Sequence, residues 1–265
     1  MFKGKFALVT GGGGGLGLEY VKELLRNGIQ GVTILDINKK VGIEVEENLR
    51  KEYGHSRVLF VPTDVAQSNQ LKDAFATSFR HWNGLDIVIN NAGIANEQEW
   101  DKAISLNCSG TADGTYLGFE YMSKLKSKNG GVIVNVSSIA GTEAVFFLPT
   151  YSATKSFVLA FSRGLGNKYY YDTHGIKVFT VCPGLTVTPI LSDLVDKSFY
   201  TLNPGLDILS KEFLSTVKMQ PASYVAKHVI KLIDTAESGS AWVIEEEEPP
   251  YQIYEHTKSV LRNKP

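Results

Sequence analysis

Three side chains in the second half of the chain have the types and the spacing that proton transfer at an oxygen atom requires. Tyr151 and Lys155 are four residues apart, so on a helix their side chains share one face. A neighbouring ammonium group stabilises a phenolate and lowers the pKa of a tyrosine from its usual value of about 10. Such a tyrosine can act as a general acid or base. Ser138 follows a predicted strand thirteen residues upstream and could stabilise charge on the same oxygen.

A run of five glycines, Gly11–Gly15, with Gly17 just after it, stands near the start of the chain. The run separates an apolar stretch typical of a strand from an amphipathic stretch typical of a helix. A helix N-terminus presents free N–H groups and a partial positive charge, and glycines let a phosphate approach the backbone closely. The pattern therefore favours a dinucleotide pyrophosphate site, although a flexible turn would use the same residues.

Acidic residues at the ends of the next two predicted strands extend this hypothesis. Asp36 ends the second strand, nineteen residues after Gly17, where a carboxylate can accept hydrogen bonds from ribose hydroxyls. A carboxylate there would repel a 2′-phosphate, which favours NAD over NADP, although Lys39 and Lys40 follow closely. Asp64, after the third strand, could pair with an adenine amino group or serve as a turn residue.

Short apolar runs alternate with amphipathic stretches along the chain, which is typical of parallel βαβ units. We predict seven strands, at 6–10, 32–36, 58–62, 85–90, 132–137, 176–182 and 241–244. We predict helices at 16–27, 41–53, 71–82, 101–126, 151–171 and 222–234. This order predicts an α/β fold with a seven-stranded, mostly parallel, doubly wound sheet and helices on both faces. Ligands of such sheets bind beyond the carboxyl ends of the strands.

Residues 185–220 interrupt the alternation because they contain no clear strand, so we predict a substrate-binding loop or lid there. A surface excursion without a role in binding would have the same pattern. Phe146 and Phe147 precede Tyr151 in a loop that should lie over the reaction centre. With the 185–220 segment they would form an apolar cavity, which favours a lipophilic alcohol over a charged sugar.

The composition limits the remaining possibilities. The chain has 265 residues, 27 basic and 28 acidic side chains and a net charge of −1. This balance of charge gives no reason to expect nucleic acid as a partner. The length of the chain suits a single α/β domain over residues 1–265. Two cysteines indicate no disulfide framework, and the five histidines have no metal-ligand spacing. Without a signal peptide or a run of about 20 apolar residues, we expect a cytoplasmic protein with no membrane span.

Taken in order, the motifs resemble those of the short-chain dehydrogenase/reductase family over residues 4–190. They are Thr10-Gly11-x-x-x-Gly15-x-Gly17, Asp36, Asn90-Asn91-Ala92-Gly93, Asn107, Ser138, Tyr151-x-x-x-Lys155 and Pro183-Gly184-x-x-x-Thr188. Residues 103–124 resemble the 15-hydroxyprostaglandin dehydrogenase branch, and the C-terminal part resembles the insect alcohol dehydrogenase branch. The resemblance implies a Rossmann-type fold, a nicotinamide cofactor and a homodimer or homotetramer formed through the 101–126 and 151–171 helices.

The resemblance also implies roles for individual residues. Tyr151 would be the catalytic acid/base, Ser138 would hold the substrate oxygen, and Lys155 would lower the tyrosine pKa and bind the nicotinamide ribose. Asn107 would hold a water that relays the proton. The cofactor-binding residues would be Gly11, Gly15, Leu16, Gly17, Asp36, Ile37, Thr63, Asp64, Val65, Asn91, Ala92, Gly93, Tyr151, Lys155, Pro183, Gly184, Thr186 and Thr188. The substrate-binding residues would be Ser138, Phe146, Phe147 and Tyr151.

These expectations favour an NAD-dependent alcohol dehydrogenase that interconverts a secondary or lipophilic alcohol and its ketone. An NADPH-dependent carbonyl reductase would use the same catalytic side chains. Asp36 and the lack of a basic residue in the glycine loop argue against that alternative. A nucleotide-binding scaffold without activity is a third hypothesis. It is disfavoured because each catalytic position of the motifs carries a residue of the required type.

Overall fold

The computed structural model describes residues 2–126, 128–191 and 206–254. The strands within these ranges are β1 (Phe6–Thr10), β2 (Gly31–Asp36), β3 (Val58–Pro62), β4 (Ile87–Asn90), β5 (Gly131–Val136), β6 (Ile176–Pro183), β7 (Thr186–Val187), β8 (Gln220–Pro221), β9 (Ala241–Ile244) and β10 (Tyr251–Ile253). The α-helices are α1 (Gly15–Arg26), α2 (Lys39–Tyr53), α3 (Ser68–Trp82), α4 (Trp100–Ile104), α5 (Thr111–Met122), α6 (Pro149–Leu165), α7 (Lys168–His174), α8 (Leu206–Thr216) and α9 (Ala222–Thr235). A π-helical turn, Ser105–Gly110, joins α4 to α5. Short 3-10 turns lie at Lys124–Lys126 and Ile139–Gly141.

Eight of the described strands form one sheet, in the order β3-β2-β1-β4-β5-β6-β9-β10. The neighbouring strands are parallel except β9 and β10, which are antiparallel. The chain order reverses between β1 and β4, which pair directly with each other. In doubly wound sheets a crevice opens at this reversal, outside the carboxyl ends of the strands.

The predicted fold class is confirmed. Each of the seven predicted strands is present, with ends shifted by at most two residues. The sheet contains an eighth, antiparallel edge strand, β10, which the sequence pattern did not indicate. β10 has three residues, none of them buried, so it lacks the apolar run by which the other strands are recognised.

Two hydrophobic cores hold β1 from opposite faces of the sheet. Ala7 and Val9 belong to the core that includes α1 and α9, whereas Leu8 belongs to the core that includes α3 and α5. From α3, Leu71 and Phe75 are fully buried. Burial of each large apolar side chain contributes about 1.5–3 kcal/mol, so β1 and the residues at its carboxyl end are firmly placed.

Two of the predicted helices are wrong in extent. The helix predicted at 101–126 is interrupted by the π-helical turn between α4 and α5. The helix predicted at 151–171 is two helices, α6 and α7. Gly166 stands at the break, where a Cβ would lie only 2.3 Å from the backbone nitrogen of Gly239. The side chain of Asn167 then caps α7 by accepting a hydrogen bond from the N–H of Tyr169 at 3.0 Å.

The segment predicted as a lid is described at its two ends, and residues 192–205 of it lie outside the described residues. The first end contains β7, and the second contains α8 and reaches β8. Because β7 and β8 pair in parallel, the two ends meet just beyond the carboxyl end of β6. Over the described ranges, every helix is too short or too polar to cross a lipid bilayer.

Candidate active site

A cavity of about 390 Å³ lies at the carboxyl ends of the parallel strands. The loops that follow β1 to β6 all contribute to its wall, as the reversal of the strand order predicts. The predicted site residues that line it are Gly11, Gly15, Leu16, Asp36, Ile37, Thr63, Asp64, Val65, Asn91, Ala92, Gly93, Ser138, Phe147, Tyr151, Lys155, Pro183, Gly184, Thr186 and Thr188. Three other predicted site residues, Gly17, Asn107 and Phe146, do not line it.

The three side chains suited to proton transfer come together in this wall. Tyr151 is the third residue of α6 and Ser138 follows β5; both line the cavity, where the Ser138 side chain acts on the phenol to lower its pKa. Lys155, one turn later on α6, places its Nζ 5.7 Å from the centroid of the Tyr151 ring. The helical spacing of four residues therefore brings the phenol and the ammonium group to the same side of α6.

Burial controls the charge of both groups on α6. Desolvation raises the pKa of Tyr151, and the Ser138 side chain opposes that rise. Desolvation also lowers the pKa of Lys155 to about 8. Tyr151 is therefore a neutral phenol at neutral pH, and Lys155 is mainly a cation. The net shift of the Tyr151 pKa is opposite to the one expected from sequence, because the loss of hydration outweighs the lowering effect of Ser138.

Hydrogen bonds hold Lys155 at both its amino group and its backbone. Its Nζ donates a hydrogen bond to the carbonyl of Val136 at 2.9 Å, and the side chain is almost fully buried. Gly93 lies close by, so that a Cβ there would be 3.3 Å from Nζ and 3.2 Å from Oδ1 of Asn107. The Oγ of Ser137 donates to the backbone carbonyl of Lys155 at 2.7 Å. These contacts hold α6 and β5 in a fixed relation.

Asn107 is fully buried in the π-helical turn, and its side chain is used by protein contacts. Oδ1 accepts a hydrogen bond from the N–H of Ile94, and Nδ2 donates to the carbonyl of Ile94 and to Oγ1 of Thr154, each at 2.9 Å. Thr154 in turn donates to the carbonyl of Tyr151 at 2.8 Å. The Asn107 amide thus joins the loop after β4 to α6.

The glycine turn packs against the end of β4. A Cβ on Gly17 would lie 2.1 Å from the carbonyl oxygen of Gly11, so Gly17 permits the turn rather than lining the cavity. Gly11 and Gly15 have φ angles of +64° and +50°, which favour glycine. Asn91 donates its Nδ2 to the carbonyl of Thr10 at 3.0 Å, and the Thr10 hydroxyl accepts from the N–H of Asn91 at 2.9 Å. The turn presents the N-terminus of α1 to the cavity, an arrangement suited to a pyrophosphate.

Asp36 lies where β2 meets the cavity and is held by backbone contacts. Its carboxylate accepts hydrogen bonds from the N–H of Gly13 at 3.0 Å and from the N–H of Asn38 at 2.9 Å. Among the described lining residues, Lys155 is the one basic side chain, so residues 39–40 do not contribute positive charge to the wall. This part of the cavity fits a free ribose better than a ribose that carries a 2′-phosphate.

The loop after β3 completes the same side of the cavity with Thr63, Asp64 and Val65. Oδ1 of Asp64 accepts a hydrogen bond from the N–H of Ala66 at 3.0 Å, as a turn residue would. Thr63 donates its hydroxyl to the carbonyl of Val61 at 3.0 Å. Asp64 therefore serves the turn and also faces the cavity, and its pairing with an adenine amino group stays a prediction.

The loop after β6 forms another part of the wall and is held by a residue that sequence reasoning missed. Thr186 donates its hydroxyl to the carbonyl of Gly184 at 2.8 Å, and Thr188 donates to the carbonyl of Thr186 at 3.2 Å. Gln220, fully buried in β8, donates Nε2 to the last carbonyl of β9 at 2.7 Å and to the Thr186 hydroxyl at 3.4 Å. No signal in the sequence relates Gln220 to Thr186, because their proximity depends on the pairing of β7 with β8.

The remaining wall of the cavity is apolar. Phe147 is 2% exposed and packs edge to face against Phe213 of α8, with ring centroids 5.5 Å apart. Phe146, also predicted to line the cavity, is 60% exposed and lies outside the wall, because consecutive side chains of this loop point in different directions. The other apolar residues that line the cavity are Leu35, Ile94, Ala95, Leu106, Val136, Ile139, Ala140, Val145, Leu148, Leu185, Pro189, Ile190, Leu191, Phe213 and Leu214.

Comparison with known proteins agrees with this geometry. A family model described as short chain dehydrogenase matches residues 5–198. The 15-hydroxyprostaglandin dehydrogenase (NAD⁺) of Rattus norvegicus is 37% identical over 191 residues, which are 72% of this chain and 71% of that protein. Alcohol dehydrogenase 2 of Ceratitis capitata is 30% identical over 241 residues, which are 91% of each chain. A short chain dehydrogenase/reductase of Burkholderia phymatum, solved in complex with NAD, has a TM-score of 0.78 at 20% identity and shares the fold over 92% of this chain and 89% of that chain.

Proposed function

The chain belongs to the short-chain dehydrogenase family of oxidoreductases, and on that premise we propose that it is an NAD-dependent alcohol dehydrogenase. It interconverts a secondary or lipophilic alcohol and the corresponding ketone. The observation that carries the proposal is the convergence of Tyr151, Ser138 and Lys155 in one cavity with the glycine turn. Together they supply a proton carrier, a hydrogen-bond donor for the substrate oxygen and a positive charge beside the phenol.

The residues divide the chemistry of alcohol oxidation between them. NAD, when bound, supplies the hydride acceptor. Tyr151, as the phenolate, takes the proton from the substrate hydroxyl, while Ser138 donates a hydrogen bond to the same oxygen and stabilises its charge. Lys155 stabilises the phenolate through its positive charge. In the reverse direction the neutral phenol of Tyr151 donates its proton to the carbonyl oxygen.

We propose NAD rather than NADP as the cofactor. Asp36 places a carboxylate where the ribose of the adenosine would lie, and a 2′-phosphate would meet that negative charge. The described wall offers no basic side chain near Asp36 to offset the repulsion. The rat relative also carries NAD⁺ in its name.

The apolar wall supports a substrate with a hydrocarbon body. Side chains from the loops after β4 and β5 and from α8 face the cavity beside Tyr151. A pocket of this kind binds its ligand mainly by burying the ligand's apolar surface, and a few polar groups of the protein orient the ligand. We propose that residues 185–220 act as the substrate-binding lid within a single catalytic domain, residues 1–265, and that two or four copies assemble into a homodimer or homotetramer.

A screen for NADH formation at alkaline pH tests the proposal. Long-chain, cyclic and small secondary alcohols are compared with polyols, each with NAD and with NADP. We expect turnover of lipophilic alcohols and a kcat/KM at least about tenfold higher with NAD, a difference of about 1.4 kcal/mol. Equal efficiency on polyols would contradict the substrate class, and preference for NADP would contradict the cofactor. NAD binding without turnover of any alcohol or ketone would favour the scaffold hypothesis.

A further inference from the structure

Helix α6 begins without a cap of its own, although it carries both Tyr151 and Lys155. Leu148 precedes the helix and has no side-chain oxygen, and Pro149 is the first helical residue and has no N–H. The N–H groups of Thr150 and Tyr151 have no partner within the helix. A first turn of this kind frays readily, and fraying here would move the backbone that bears the phenol.

Glu97, in the loop after β4, supplies the missing cap from more than fifty residues away. Its Oε1 accepts a hydrogen bond from the N–H of Tyr151 at 2.9 Å, and its Oε2 accepts one from the N–H of Thr150 at 3.1 Å. The residue is 6% exposed. A carboxylate is rarely buried unless it is well paired, and here two charge-assisted hydrogen bonds and the positive end of the helix dipole stabilise it.

The loop that carries Glu97 contacts α6 at further points around Tyr151. Ala95 packs in a small apolar cluster with Phe147 and Leu148, and the Tyr151 ring packs against that cluster. Ile94, one residue earlier, is held by the buried Asn107 amide, which also bonds Thr154 of α6. Glu97 therefore fixes the start of α6, and Asn107 fixes its next turn.

We propose that Glu97 is a positioning residue for Tyr151. Its carboxylate holds the first turn of α6 so that the phenol stays aligned with Ser138 and with a substrate oxygen. The inference rests on the proposed function of the cavity. Glu97 itself is outside the cavity wall, so its loss should affect the chemical step more than the binding of NAD.

Replacement of Glu97 in the full-length protein tests the positioning role. Misplacement of a reacting group by about 1 Å can reduce a rate about 10²-fold, so we expect Glu97→Ala to lower kcat by about 10–100-fold. The KM for the alcohol and the Kd for NAD should change by less than about threefold, since the residues that line the cavity remain. Glu97→Gln keeps the shape and one acceptor oxygen, and should recover part of the loss.

Glu99→Ala is the matched control. Glu99 lies two residues further along the same loop, but its exposed carboxylate pairs with Lys102 at 3.4 Å and accepts from Asn96 at 2.9 Å. This variant should keep the wild-type kcat. A Glu97→Ala protein that loses thermal stability but whose folded fraction keeps the wild-type kcat would overturn the positioning role. A Glu99→Ala protein that loses as much kcat as Glu97→Ala would overturn it as well.

Amide hydrogen exchange gives a readout that does not depend on turnover. In the wild-type protein the N–H groups of Thr150 and Tyr151 should exchange slowly for a first helical turn, and Glu97→Ala should accelerate their exchange selectively. Unchanged exchange at both amides would overturn the inference whether or not an alcohol is oxidised. A wild-type protein with protected amides and no turnover would contradict the proposed function instead.

Discussion

Tyr151 and Lys155 share surroundings that disfavour charge on either group. Burial raises the pKa of the phenol and lowers the pKa of the ammonium group to about 8. In the protein alone, the pair is therefore a neutral phenol beside a cation. This state is ready to donate a proton to a carbonyl. Proton removal from an alcohol needs a further positive charge nearby, which the oxidised nicotinamide ring would supply.

Replacement of Tyr151 by phenylalanine removes the hydroxyl and keeps the ring. General acid–base catalysis contributes about 10²–10⁴-fold, so we expect kcat for alcohol oxidation to fall by that factor in Tyr151→Phe. The Kd for NAD, measured by fluorescence titration, should stay close to that of the wild type. Tyr169→Phe, at an exposed position of α7, is the control. Turnover of Tyr151→Phe within about tenfold of the wild type would refute the role of the phenol.

The raised pKa of Tyr151 also sets the direction of the pH dependence. Oxidation needs the phenolate, whose fraction grows as pH rises towards the pKa of the phenol. With saturating NAD, we expect kcat/KM for the alcohol to rise by up to about tenfold per unit between about pH 6 and pH 7, below the pKa of about 8 at which Lys155 loses its charge. Ketone reduction needs the neutral phenol and should be nearly constant over that range. A flat profile for oxidation would show that Tyr151 does not limit the reaction.

At the scale of elements, the site is assembled from the ends of six parallel strands. Five of these strands, all but β3, are mostly buried, and the loops beyond the carboxyl ends of all six present polar groups to the cavity. The turn between β1 and α1 is the most tightly constrained of these loops. Gly17 packs against the carbonyl of Gly11. Asn91, just after β4, donates hydrogen bonds from Nδ2 to the carbonyls of Thr10 and Gly11.

Gly17→Ala tests this constraint. The added methyl group would lie 2.1 Å from the carbonyl oxygen of Gly11, so the turn must open. We expect a loss of stability of about 1–3 kcal/mol in thermal unfolding of the cofactor-free protein, and weaker NAD binding. Gly14→Ala is the control for the unfolding measurement, since no atom lies within 4 Å of a Cβ at that position. Equal melting temperatures for the two variants would contradict the packing argument.

At the scale of the whole molecule, an aromatic patch on α5 and α6 remains open to solvent. Tyr116 and Phe157 are 56% and 39% exposed, and both rings contact Phe161, with centroids 5.7 Å and 5.4 Å away. Ile104, at the end of α4, is also 42% exposed. Contiguous apolar surface of this kind marks contacts with other molecules, and it lies on the helices where we propose that copies of this chain meet.

Charge placed in this aromatic patch should separate the copies. We expect the wild-type protein to be a dimer or tetramer by light scattering, and the double variant Tyr116→Glu/Phe157→Glu to be a monomer that keeps its helical circular dichroism. A buried, unpaired carboxylate in an interface is strongly unfavourable. Ile43→Glu, at an exposed position of α2 outside these helices, should keep the wild-type mass. A monomeric wild-type protein would contradict the proposed assembly.

Much of the fold and part of the site could be predicted because their signals are local. Seven strands are visible as apolar runs, and the glycines, Asp36, Ser138 and the Tyr151–Lys155 pair stand at strand ends or at helical spacing. Patterns of this kind depend on residues within a few positions of one another. The same local reasoning was wrong for the helix extents at 101–126 and 151–171, since a π-helical turn interrupts the first and the second breaks at Gly166, which packs closely against Gly239.

The sequence by itself determined the doubly wound sheet, the edge at which a ligand would bind and the residues suited to proton transfer. Only the tertiary structure decided that Phe147 faces the cavity while Phe146 faces solvent, and that burial raises the pKa of Tyr151. It also decided that the carboxylate of Glu97 meets the start of α6. The physical reason is that desolvation and long-range hydrogen bonds depend on which segments pack together, and residues 94–97 and 150–154 are neighbours in space alone.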